Sequence, residues 1–203
     1  MNPMIKVCGV TDPAFAEAAA RRGIDCLGVI FAAASPRYVS VAKARQIAAA
    51  ARMARPESSQ RIVGVFVDGS AAEVADTAAA VPLDVVQLHG DFDDATVALL
   101  KESGLEVWRL WGGESGEEDA VLLDGRDGGK TGGTGRLADW TLVGELKKMS
   151  LRVVLAGGLS AENATEAAAT GADVLDFNSS LESSPGVKSL VKLDELLRRI
   201  GDL

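Results

Sequence analysis

The sequence predicts one parallel α/β domain over residues 1–203, an eight-stranded (β/α)8 barrel, on three observations. Eight short apolar runs alternate with Ala-rich stretches of helical character. The runs are β-branched and nearly continuous in apolar character, as strands covered on both faces are. Eight also exceeds the roughly five to seven strands of an open doubly wound sheet, which favours closure into a barrel.

Taken in order, strands are predicted at 5–7, 26–31, 62–67, 84–88, 106–110, 120–123, 152–155 and 174–177. The helices between them carry readable start signals. Asp12-Pro13 is an N-cap followed by Pro at the first helical position. Ser70-Ala71-Ala72-Glu73 is a capping box. Asp139 can cap a helix over 140–149, and Ser160 or Asn163 one over 164–170. The last helix is predicted at 189–200. Gly23, Gly104 and Gly171 fall where helices should end. One unit is deficient. Only the Gly-rich segment 111–119 separates the fifth and sixth strands, whereas a parallel crossover with its helix takes about 10–12 residues. The fifth helix is therefore expected to be missing or reduced to a loop.

Composition narrows the function. Lys plus Arg is 21 against 29 Asp plus Glu, a formal net charge of −8, which argues against a nucleic-acid binder. One His and two Cys cannot supply the four ligands of a zinc finger or ribbon. No stretch reaches the roughly 18 apolar residues that span a bilayer, and the N-terminus lacks a signal-peptide h-region. A reduced cytoplasmic protein with free thiols is expected. No exposed apolar helix face asks for a partner, so a monomer is expected over a homodimer.

In such a barrel the chemistry sits at the C-terminal ends of the strands. The residues there include Cys8, Arg37, His89, Asp124 and three clusters of small residues: Gly132-Gly133-Thr134-Gly135, Gly157-Gly158 and Asn178-Ser179-Ser180. Gly157-Gly158 alone reads as a turn. Three such clusters after strands six, seven and eight read as a phosphate site built from backbone N–H groups. Cys26 lies within a strand and reads as core, whereas Cys8 ends the first strand, where a thiolate could serve as base or nucleophile. Asp124 ends the sixth strand, well placed as an acid. Arg37 is either a solvated loop residue or a fork for a substrate carboxylate. His89 is as well suited to a supporting place as to direct catalysis.

Several segments together resemble the phosphoribosylanthranilate isomerase family, a TIM barrel of tryptophan biosynthesis. They are Lys6-Val7-Cys8-Gly9-Val10-Thr11, Ser35-Pro36-Arg37-Tyr38-Val39, Gly64-Val65-Phe66-Val67 and Val86-Gln87-Leu88-His89-Gly90. Further on come Leu122-Leu123-Asp124 with Gly132 to Gly135, Asp139-Trp140, Leu155-Ala156-Gly157-Gly158-Leu159 with Glu162-Asn163, and Asp176-Phe177-Asn178-Ser179 with Glu182-Ser183 and Pro185-Gly186-Val187-Lys188. They run in order along nearly the whole chain. The resemblance implies an Amadori rearrangement of a phosphorylated small molecule without metal or cofactor. By position, Asp124 matches the general acid and Cys8 the general base. Arg37 matches the residue that holds the anthranilate carboxylate, and Asp176 the carboxylate near the amine and ribose. His89 matches a fixed His. Gly133, Thr134, Gly158, Ser179 and Ser180 match the phosphate amides. Ser180 stands where the family usually has Gly, a substitution that matters if the position requires positive φ. Two other readings share these features: a phosphosugar isomerase of the histidine-biosynthesis type, which typically uses two Asp where this chain has Cys8 as base, and a non-catalytic phosphate-ligand binder.

Overall fold

The computed structural model describes residues 2–57, 59–125 and 138–201. The chain runs β1 (Met4–Val7), α1 (Pro13–Arg21), β2 (Cys26–Ile30), α2 (Val41–Ala54), β3 (Arg61–Phe66), α3 (Ala71–Ala80), β4 (Val85–Leu88), α4 (Asp94–Glu102), β5 (Glu106–Leu110), β6 (Ala120–Leu123), α5 (Thr141–Lys148), β7 (Val153–Leu155), α6 (Ala164–Ala169) and β8 (Val174–Phe177). A 3-10 turn (Ser179–Leu181), a short antiparallel pair β9 (Glu182–Ser184) and β10 (Val187–Lys188), and α7 (Leu190–Gly201) complete it. The eight strands are parallel, and β1 pairs with both β2 and β8, which closes the barrel. Segment 111–119 carries no helix and links β5 directly to β6.

Local chemistry places the elements. Asp12 accepts the N–H of Ala14 at 3.0 Å with Pro13 starting α1, and Ser70 and Glu73 form the reciprocal capping box of α3. Two expectations shift. Asp139 accepts from Thr141, and the helix begins there rather than at Trp140. Ser160 does not cap α6, and Asn163, although at the N-cap position, makes no cap bond. Its side chain instead accepts from Ser160 N–H and donates to the Gly158 carbonyl, so it holds the β7 loop in shape.

A device at the barrel's N-terminal end repeats on alternate strands. Asp25, Asp84, Asp119 and Asp173 each stand immediately before an even-numbered strand. Each carboxylate accepts the N–H of a residue in the preceding strand: Ile5 at 2.7 Å, Ile62 at 2.7 Å, Val107 at 2.9 Å and Val153 at 2.7 Å. The backbone N–H of each Asp donates to the carbonyl of that same residue. These paired bonds satisfy the strand starts, where ladder partners run out.

Side chains alternate across each strand. Outward-facing residues such as Val7, Val29, Leu88, Leu123, Leu155 and Phe177 join the helices in one large core. Inward-facing residues fill the barrel. Cys26, Val63, Val85, Trp108, Ala120, Val154 and Val174 form its apolar floor, which is where the core reading of Cys26 is met. One step up the strands come Lys6, Gln87 and Asp176, all buried. One step further come Cys8, His89 and Asp124, at the rim.

Candidate active site

A cavity of about 600 Å³ opens at the C-terminal end of the barrel. It is lined by Cys8, Arg37, His89, Asp124, Gly158, Asp176 and Ser179, together with Gln87 and an apolar side formed by Ile30, Phe31 and Val65. The structure thus brings together seven of the residues expected from the sequence. Ser180 stands beside Ser179 in the 3-10 turn, its hydroxyl buried without a partner among the described residues. Its φ is not positive, so Ser180 needs no left-handed backbone here. Gly133 and Thr134 lie outside the described residues.

The centre of the site is an ammonium. Lys6 is fully buried, donates to Asp176 Oδ2 at 2.5 Å and to Gln87 Oε1 at 2.9 Å, and reaches the Cys8 thiol. Burial alone would discharge it, but the Asp176 carboxylate and Cys8 outweigh that and hold it protonated. Burial pushes the Asp176 carboxyl up, and Lys6 pulls it part of the way back. Asp176 Oδ1 is buried with no hydrogen bond among the described residues, while the Gln87 side chain also helps to hold the carboxylate ionised. Burial likewise pushes the Cys8 thiol up, with Lys6 opposing. Gly28 makes the room: a Cβ there would lie 3.0 Å from Cys8 Sγ and 3.3 Å from Lys6 Cε.

On the far side, Gln87 Nε2 lies 2.6 Å from His89 Nε2, and His89 Nδ1 lies 4.0 Å from Asp124 Oδ2. The Asp124 side chain is only 7% exposed, so the acid is largely shielded from solvent. Gly157, at φ 80°, lets the β7 loop approach. A Cβ there would come within 2.7 Å of Asp124 Oδ1.

Arg37 is not a solvated loop residue. Its Nε and Nη2 grip Glu182 at 2.7 and 2.8 Å, and Lys188 donates to the same carboxylate at 2.9 Å. Burial would raise Glu182, but Arg37 and Lys188 hold its carboxyl below the usual range. Lys188 also donates to Asn178 Oδ1 and O. The guanidinium is thereby pinned at the cavity wall, its Nη1 without a partner among the described residues.

Residue-by-residue reading missed Lys6, Gln87 and Glu182 as parts of the site. The signal for the first two was the two-residue step: Lys6 stands two before Cys8 and Gln87 two before His89, so each pair faces the same interior.

Residues 5–199 match the family model described as N-(5'-phosphoribosyl)anthranilate (PRA) isomerase. The chain belongs to the N-(5'-phosphoribosyl)anthranilate isomerase family. Membership makes it an enzyme, an isomerase of tryptophan biosynthesis. It is 35% identical over 204 residues to the N-(5'-phosphoribosyl)anthranilate isomerase of Stutzerimonas stutzeri, covering 96% of this chain and 95% of that protein. It is 40% identical over 205 residues to the tryptophan biosynthesis protein TrpCF of Vibrio cholerae, where the match takes in 96% of this chain but spans only 41% of the longer relative. A crystal structure of phosphoribosyl anthranilate isomerase in complex with reduced 1-(o-carboxyphenylamino)-1-deoxyribulose 5-phosphate superposes with a TM-score of 0.78 at 27% identity. That match covers 99% of this chain and all of that one. Among the described residues, no helix is long and apolar enough to cross a membrane.

Proposed function

We propose that this site converts N-(5'-phosphoribosyl)anthranilate into 1-(2-carboxyphenylamino)-1-deoxyribulose 5-phosphate, with Asp124 as general acid and Cys8 as general base. The supporting observation is that both groups line one cavity from strands three apart around the barrel, and that the Asp176 carboxylate and the Arg37 guanidinium line the same cavity.

Asp124 gives its proton to the furanose ring oxygen as the bond from that oxygen to C1′ breaks, and the anthranilate nitrogen supplies the electron pair that forms the iminium. The Cys8 thiolate then takes the C2′ proton, and those electrons neutralise the iminium to an enolamine. The enolamine loses its C2′ hydroxyl proton and gains one at C1′, giving the ketone. Positioned acid and base groups of this kind each contribute about 10²–10⁴-fold. Asp176 Oδ1 accepts from the anthranilate amine or the ribose. Arg37, steadied by Glu182, offers Nη1 to the anthranilate carboxylate. The phosphate is bound by backbone N–H groups around Gly158, Ser179 and Ser180, and by those of Gly133 and Thr134. This arrangement suits a chain of net charge −8, because amides bind a dianion without spending cations.

The protein is expected to restore growth without tryptophan to a strain lacking this isomerase and to leave the matching histidine auxotroph unrescued. Failure in the tryptophan strain by a folded, expressed protein contradicts the assignment.

A further inference from the structure

Lys6 can only donate, and this orients everything beyond it. Its ammonium donates to Asp176 Oδ2 and to Gln87 Oε1. Gln87 must therefore turn its oxygen to Lys6 and its NH₂ toward His89, whose Nε2 lies 2.6 Å away. A ring nitrogen met by an N–H donor has to accept, and a neutral imidazole with an accepting Nε2 carries its proton on Nδ1. That nitrogen is the one facing Asp124 Oδ2, at 4.0 Å. Catalytic hydrogen bonds are commonly long in ligand-free sites and shorten in the complex.

We propose that Lys6, acting through the Gln87 amide, fixes His89 as the Nδ1–H tautomer and so aims a hydrogen-bond donor at Asp124. Lys6 and Gln87 are positioning residues. His89 is the group that steadies the Asp124 carboxylate once its proton has gone to the sugar. The catalytic consequence rests on Asp124 being the acid, as proposed above; the tautomer does not.

His89 is the only histidine in the chain, so nitrogen-15 spectra of labelled imidazole report on it alone. The wild-type protein is expected to show a proton on Nδ1 and none on Nε2. Gln87→Glu keeps the side chain's size and its acceptor toward Lys6, whose ammonium holds the new carboxylate ionised. It replaces the donor facing His89 with an acceptor. In this variant the proton is expected to move to Nε2. kcat is expected to fall about tenfold or more, the scale of one hydrogen bond to a charged group, with a smaller change in KM. A wild-type proton on Nε2, or a Gln87→Glu variant that keeps it on Nδ1, overturns the proposal. A tautomer that switches while kcat stays unchanged overturns the link to Asp124. Should Gln87→Glu fail to fold, the wild-type spectrum decides. Full activity in Asp124→Asn would remove the acid assignment and leave the tautomer result standing, so the two failures are separable.

Discussion

The two cysteines of this chain show how one residue type divides by depth. Cys26 lies on the barrel floor, and burial pushes its thiol up to about 12. Cys8 sits two layers higher, where burial and Asp176 raise it while Lys6 and Lys188 draw it down, for a net upward shift. With Cys8 as the proposed base, the acting form is the thiolate, so a raised thiol means that kcat/KM climbs with pH and is still climbing beyond about 8.5, where an ordinary cysteine is half ionised. Thiolate ultraviolet absorbance should rise over the same range and come from Cys8 alone, since Cys26 stays protonated there. Lys6→Met removes the nearest cation and should shift both curves further upward. A profile already flat by neutral pH would contradict Cys8 as the base. The sequence placed Cys8 and Asp124 at the rim because each ends a strand. It left Arg37 open between solvent and substrate because its partner, Glu182, is 145 residues away.

At the level of elements, capping and alternation were legible because they are local. Asp12-Pro13 and the Ser70–Glu73 box act within a few residues, and each forms as written. The short, Gly-rich link between β5 and β6 was legible for the same reason: it has too few residues to hold a helix and still cross. The 3-10 turn and the β9–β10 pair were not legible. They are stabilised by contacts to distant groups, such as the Arg37 and Lys188 bonds to Glu182, rather than by their own pattern. The four Asp residues ahead of β2, β4, β6 and β8 sit in plain view, yet their work is between strands. Asp25→Ala leaves the Ile5 N–H without its carboxylate and should cost about 1–3 kcal/mol. Asp12→Ala, which removes only a cap, should cost about 1 kcal/mol. Thermal unfolding of the two variants against wild type checks the ranking, and neither change should alter KM, because both lie away from the cavity.

For the molecule as a whole, the barrel follows from counting apolar runs, because closure of eight parallel strands is the arrangement that covers both faces of each. The site follows from the barrel, because period-two alternation lifts Lys6 to Cys8 and Gln87 to His89 along shared interior rows. The acidic composition, which sits awkwardly with a phosphorylated substrate, is reconciled by where the cations are: Arg37, Lys188 and Lys6 are each engaged by carboxylates inside or beside the cavity. The proposed chemistry depends on Asp124 and Cys8 acting as a pair. Turnover of purified protein on phosphoribosylanthranilate should fall about 10²–10⁴-fold in Asp124→Asn and in Cys8→Ala, with both variants folded. Either variant turning over within a few-fold of wild type would contradict it.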